Sequence, residues 1–537
     1  MSLVYRIALA TVLGWHAAGL AQGPAHELRF PITRFAVEGA TLMTSEEIEA
    51  ALQPFTGAER TLADVQRARA ALEAAYAQRG YGATQVDVPE QEITDGMVRL
   101  RAIEGRVSGV TIEGNRFFDA ANIRRSLPTL AEGQPLNTAR LARELRLANE
   151  SPVKQTTTVL KGGADEGDLA AHVRVEDQRP WRFSLGVDNT GTPETGDYRV
   201  GVGFQHANLF DRDHVLTLQY VTSPSKEDNP DKLALPPSDN VLIAGAGYHV
   251  PLYSLGDSID LVAGYANVDS GVVQNLFAVS GSGQVYAGRY NFGLPAAGGL
   301  EQKLALGLDW RIYNNDVAPV GTSTSVVPDY VVHPLSLAYS GAFRAEGQEL
   351  LFSVAGVQNI PGGSDGNQAA FDAVRPGAPA SYTLGRATLS YVLGLPRGPQ
   401  ARARFAAQYT RDELVPGEQF GIGGMDSVRG FLERQFTGDR GYSGSFELYS
   451  PDFGAELLPP GNWRARVLAF YDFGRAYRIN PEVFEPEVIG ISSAGPGVRV
   501  AYGSSLSLRF DYGFQIQRGV PPADFTSRAN FSLVWVF

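Results

Sequence analysis

The chain has 537 residues, 44% of them hydrophobic, which is enough for several domains and too apolar for a disordered polymer. A formal net charge of -12 and a pI near 5.2 leave no positive field to draw in nucleic acid. Having no cysteine excludes disulfides and thiolate metal sites, and 60 glycines with 22 tyrosines and 27 phenylalanines point to many strands and turns.

The first residues carry Arg6, an apolar run from Ile7 to Leu20, and Gly19-x-Ala21, small residues at the spacing a signal peptidase reads. Residues 1 to 21 are therefore expected to be a signal peptide cut after Ala21. His16 interrupts the run, which is shorter than the ~20 apolar residues a membrane anchor needs.

Residues 30 to 178 read as two copies of one unit. "FAVEG" at 35–39 recurs as "VTIEG" at 110–114, and Ile48 and Leu52 fall opposite Ile123 and Leu127 at the same offset. In the first copy Thr44 and Glu47 form a capping box before Ile48, Leu52 and Phe55. Thr61 opens a second helix bearing Val65, Ala68, Leu72 and Tyr76, and Gly80 ends it. Alternating strands close each copy, "MVRLRAIEG" and then "LAAHVRVED". The order strand, helix, helix, strands defines two small α+β domains, 30–105 and 106–178. An open sheet edge in such a unit can accept an extended peptide as an added strand.

From Trp181 to Phe537 the period becomes two. Leu506, Leu508, Phe510, Tyr512, Phe514 and Ile516 share one face of their strand; Leu304, Leu306, Leu308, Trp310 and Ile312 share one face of another; so do Phe531, Leu533, Trp535 and Phe537. About sixteen strands of roughly ten residues are expected, the length a tilted strand needs to cross a bilayer. They fall near 182–188, 198–209, 213–222, 240–250, 257–268, 283–293, 301–313, 331–343, 347–358, 381–394, 400–410, 441–449, 463–474, 495–502, 505–517 and 528–537. Connections alternate between long ones, such as 411–440 and "AYRINPEVFEPEVIGISS", and short turns such as "LPRGP". That asymmetry belongs to an outer-membrane barrel and has no reason to occur in a soluble sandwich. The expected fold is mixed: two α+β domains followed by a 16-stranded antiparallel transmembrane β-barrel over 181–537.

Catalytic signals are scarce. "GGSDG" at 362–366 fits G-x-S-x-G, but Pro361 separates it from the preceding strand and it reads as a flexible loop. There is no H-E-x-x-H and no Walker-type loop, so neither metal, cofactor nor enzymatic activity is expected.

One stretch poses a question of its own. In "GIGGMDSVRGFLERQ" (421–435) the isolated charge of Arg429 sits between Val428 and Gly430, ahead of Phe431. With the duplicated domains and the barrel, "VRGF" in the connection between the eleventh and twelfth strands resembles the two-partner secretion transporters (TpsB), whose periplasmic repeats are called POTRA domains. The resemblance implies that this loop folds back into the barrel and that its arginine meets a wall aspartate, here Asp472 of "LAFYDFG". Asp472 shares alternation parity with Arg464 and Arg466, opposite to Trp463, Val467, Tyr471 and Phe473, and so is expected to face the lumen. Lys303, Asp309, Arg311, Arg402, Arg404, Glu447, Arg509 and Asp511 are further expected lumen charges.

The resemblance further implies a periplasmic, unfolded polypeptide substrate recognised by the POTRA pair and passed to the cell surface. It also implies outer-membrane lipid around the barrel and the barrel assembly machinery as a partner. A barrel-inserting assembly factor usually carries more POTRA copies, and a small-solute channel needs none; these are the competing readings. Many family members place a plug helix before the first POTRA domain. Residues 22 to 29 are too few for a helix spanning the ~30 Å hydrocarbon thickness, so no plug is expected.

Overall fold

The computed structural model describes residues 28–192, 196–226, 229–233, 241–267, 271–273, 277–279, 282–314, 328–457, 461–483, 485–519 and 526–537. The signal-peptide and plug expectations, on residues 1–21 and 22–29, fall on or next to residues 1–27, outside the described part.

The N-terminal unit ends at Gly105. Its helices Ser45–Leu52 and Leu62–Gln78 both begin with a capping box, Thr44 with Glu47 and Thr61 with Asp64, which satisfies amide donors a bare helix start leaves unpaired. They bury Leu52, Ala68, Leu72 and Tyr76 against Val86, Leu100 and Ala102 of a three-stranded sheet. In that sheet Arg34–Glu38 pairs parallel with the central strand Met97–Ile103 and is, among the described residues, an edge strand.

The second copy, 106–178, repeats this plan. Helices Ala120–Ser126 and Thr138–Ala148 lie with a sheet in which Arg106–Glu113 pairs parallel with Asp168–Asp177 and forms the edge. The shared "EG" has a physical cause in both. Gly39 (φ +77°) and Gly114 (φ +86°) are left-handed, and a Cβ on either lies 2.4 Å from a carbonyl oxygen of the central strand, Ala102 or Val175. The repeat also extends to a carboxylate. Glu104 accepts from the amides of Thr41 and Leu42, and Asp177 accepts from those of Arg116, Phe117 and Phe118. Each turn after the first strand is thus held by an acidic residue at the end of the central one.

Sixteen antiparallel strands close the barrel, with the first, Trp181–Asp188, paired to the last, Ser527–Val536. Outward positions carry exposed Leu261, Tyr286, Leu308, Trp310, Val467, Tyr471 and Trp535, an apolar outer surface of the kind a membrane barrel has. Three strands depart most from the sequence reading. The eighth, expected as continuous over 331–343, is Tyr330–Val332 and Pro334–Ala345, interrupted at His333 before a proline that has no amide to donate. The thirteenth and fourteenth run further, Trp463–Tyr477 and Val488–Tyr502, so much of "AYRINPEVFEPEVIGISS" is strand rather than loop. Ala476, Ile489 and Ile491 in these extensions pack on Ile422, Val428, Phe431 and Phe436, an apolar anchor that keeps the strands paired beyond the expected ends. Nor is "GGSDG" loosely held: Val331 N donates to Asp365 O and Gly362 N to Gly366 O.

The second α+β domain is bolted to the barrel turn between the second and third strands. Lys154, whose side chain is wholly buried, lies 2.7 Å from Asp213, which also accepts from the Tyr253 hydroxyl at 2.6 Å. Asn122 donates to Asn208 Oδ1 and Asp211 O beside it. Lys154→Met leaves the Asp213 carboxylate buried without its cation, and we expect a loss of ~3 kcal/mol or more of docking stability. Limited proteolysis of the folded chain checks this as faster cleavage around residue 178 with the barrel intact.

Candidate functional site

Between the eleventh strand, Gln400–Thr410, and the twelfth, Arg440–Tyr449, the chain makes a hairpin whose short ribbon pairs Phe420–Ile422 with Phe436–Gly438. "VRGF" lies at its tip. Close passage to the wall is possible because two glycines face each other. Gly430, at φ +90°, has its would-be Cβ 2.9 Å from Gly513 O, and a Cβ on Gly513 falls 2.7 Å from Gly430 N. Gln515 Nε2 donates to Gly430 O at 2.6 Å and fixes the contact.

Among the described residues Arg429 is the largest wholly buried side chain, 1% exposed. Its five N–H donors all have acceptors. Nε donates to Asp472 Oδ2 and Nη2 to Asp472 Oδ1, each at 2.7 Å, a bidentate fork. Nη1 donates to Glu447 Oε1 at 2.8 Å and Asp511 Oδ1 at 3.4 Å, and Nη2 to Ser445 Oγ at 3.0 Å. The backbone amide of Arg429 adds a bond to Asp472 Oδ2, and the guanidinium stacks 3.6 Å from the Phe470 ring centroid. Register explains the convergence: Ser445 pairs with Asp472, Glu447 with Phe470 and Gly497 with Asp511, placing these side chains on one wall patch.

The network extends outward. Arg404 lies 3.3 Å from Glu447, and Arg499 and Arg509 lie 2.9 and 2.8 Å from Asp511. Arg509 returns to the loop through Asp426 at 2.6 Å. Four cations and four anions are thereby joined.

Val428 and Phe431 are buried in the apolar anchor described above. Arg464 and Arg466 share the lumen parity of Asp472 but do not join this network: Arg466 donates to Gln400 and Arg464 is exposed. Lys303 pairs with Glu150, and Arg402 lies over the Tyr449 ring. Asp309 and Arg311 belong to a second network, in which Arg311 and Arg386 hold Glu418 of the loop at 2.8 and 3.2 Å. Asp426, Arg499 and Phe470 are site residues that sequence reasoning missed.

Set beside known proteins, residues 168–235 and 339–500 match the haemolysin secretion/activation family, ShlB/FhaC/HecB, and residues 30–105 match the ShlB-type POTRA domain. The chain belongs to this two-partner secretion family. It is a family of transporters rather than enzymes, with the barrel in the outer membrane and the POTRA domains in the periplasm. Among family relatives, the outer membrane transporter CdiB of Escherichia coli O6:K15:H31 is 24% identical over 31% of this chain and 28% of its own length. The heme/hemopexin transporter protein HuxB of Haemophilus influenzae strain 86-028NP is 23% identical over 34% and 33%. The chain thus aligns with only about a third or less of the length of these curated relatives. In fold it is similar to CdiB from Escherichia coli (TM-score 0.74, 18% identity, 98% and 93% coverage) and CdiB from Acinetobacter baumannii (0.69, 17%, 95% and 90%).

Two predictions follow from the geometry. Removing one partner of the Arg429–Asp472 pair leaves a buried charge uncompensated, at an expected cost of ~3 kcal/mol or more, and the double alanine variant should lose less than the sum of the two. Because Glu447 and Asp511 also face position 429, Arg429→Asp with Asp472→Arg should fail to restore seating. Barrel unfolding in denaturant measures both.

The second concerns pH. Glu433 is pushed up to about 7, chiefly by burial; the Met425 amide opposes this at 2.6 Å, while Asp426 and Asp188 add repulsion. A carboxyl raised in the seated loop stabilises seating below the ordinary carboxylate range, and that contribution is lost as pH rises through about 7. Protease cleavage within the loop should therefore increase across the neutral range, and Glu433→Gln should flatten the profile.

Proposed function

We propose that the chain recognises an unfolded partner polypeptide in the periplasm and conducts it through the barrel to the cell surface, without a covalent step. The observation that carries this reading is the loop 411–440 seated in the lumen by Arg429, an obstruction held by non-covalent bonds and so able to leave. The mixed charge of the wall suits an extended chain sliding past water. Capture is assigned to an open POTRA edge. Arg106–Glu113 is an edge strand whose start is closed by Val107 bonding Gly133 and Gln134, which leaves its 111–113 end as the open stretch, next to a cavity of about 400 Å³ lined by Val110, Ile112, Ile123, Leu127, Leu130 and Val173. Alternate side chains of an added strand can enter such a cavity while its backbone pairs with the edge.

Deleting residues 106 to 178 also removes Lys154 and strands Asp213, so a lighter probe is preferable. Native chain has no cysteine, and Thr111→Cys places a single thiol on the edge. A cross-link to a cysteine-bearing secreted partner is expected during export; secretion at the normal rate with no cross-link and with a Thr111→Pro edge overturns strand capture. Removing residues 421 to 436 should enlarge ion conductance sharply, and an unchanged current would assign the obstruction elsewhere.

A further inference from the structure

At the opposite end of the hairpin from Arg429 lies a second buried ion pair. Arg375 follows helix Gln368–Val374, in the connection between the ninth and tenth strands, and reaches Asp439, the last residue before the twelfth strand. The two make a bidentate contact, Nη1 to Oδ1 at 2.5 Å and Nη2 to Oδ2 at 3.1 Å, and Asp439 is 0% exposed. The same carboxylate accepts from Leu414 N at 2.8 Å, at the start of the loop, and from Ile479 N at 2.7 Å, in the connection after the thirteenth strand. Arg375 in turn donates to Leu414 O and Ile479 O. Glu413 accepts from Asn480 beside them.

Three connections therefore meet on one carboxylate. Behind them Phe371 is wholly buried among Tyr330, Tyr382, Leu414 and Val415, so the helix that presents Arg375 has a fixed seat. The periplasmic domain docks on the turns at 208–213, which places these connections at the other, extracellular end of the barrel.

We propose that Arg375 and Asp439 form a second latch, positioning the base of the folded-back loop, and that this latch must open before the loop can leave the lumen. The proposal rests on the reading of the loop as the obstruction. Its logic is geometric: Asp439 ties the two ends of the loop together and both to its neighbours, so the tip cannot swing out of the wall while those bonds persist. Arg375 and Asp439 touch no substrate in this scheme and act through the loop.

The test uses the full chain in planar bilayers, with potassium chloride current as the probe, and heat-modifiable gel migration to show that each barrel is folded. Arg375→Ala and Asp439→Ala should each raise the frequency of large openings severalfold over the unmodified chain, and Asp439→Asn should fall between. Arg375→Cys with Asp439→Cys, joined by a short thiol cross-linker in an Arg429→Ala background, should stay closed until the linker is cleaved. A purely structural knot predicts the reverse, with full current through the cross-linked chain, and that result overturns the latch. If deletion of residues 421 to 436 also leaves current unchanged, the obstruction reading fails instead; if the deletion opens the pore and the cross-link does not close it, only the latch fails.

Discussion

An arginine cannot shed its charge, so burying one forces its surroundings to supply acceptors in fixed places. Arg429 imposes that demand at the tip of a long loop. The wall answers with Asp472, Glu447, Asp511 and Ser445, drawn from three strands whose registers must agree for the fork to be filled. Paired glycines at 430 and 513 permit the approach, and the apolar cluster around Phe431 excludes water from it. The loop tip and the wall patch it meets are thus organised around a single guanidinium.

Much of this was legible in the residues. Period-two alternation puts Asp472 on the lumen side, and the duplicated "EG" marks both domains because a glycine is required where the chain crosses the central strand. Alternation tells which side a residue faces but not how far along the pore it sits. Arg464 and Arg466 thus share the side of Asp472 and remain apart from its network. Asp426, Arg499 and Phe470 stayed hidden for a related reason: their contacts depend on register between strands and on the path of the loop. The strand extensions after Gly474 and before Gly495 were missed because their apolar residues Ala476, Ile489 and Ile491 pack on the hairpin inside the barrel, where a wall is expected to be polar.

Two buried charge pairs serve different joints of the molecule. The second α+β domain is joined to the barrel by Lys154 and Asp213, a pair buried beneath Tyr253 and Asn122. Such a joint holds the domain at a set orientation to the pore entrance. The hairpin, by contrast, is held at several places: by Arg429 and Phe431 near its tip, by Glu418 on Arg311 and Arg386, and by Asp439 on Arg375 at its base.

The ledger of charges along the pore divides in a telling way. On the barrel wall, Asp472, Glu447 and Asp511 are offset by Arg404, Arg499 and Arg509; on the hairpin, Arg429 is offset by Asp426. Each half of the contact is electrically self-balanced. Parting this network strands no net charge on either surface, whereas parting the second one leaves the wall arginines Arg311 and Arg386 facing only Asp309, and the Glu418 carboxylate without its cations. The electrostatic cost of lifting the hairpin from the wall would therefore fall mainly on Glu418 and its two arginines, with little of it at the self-balanced patch around Arg429.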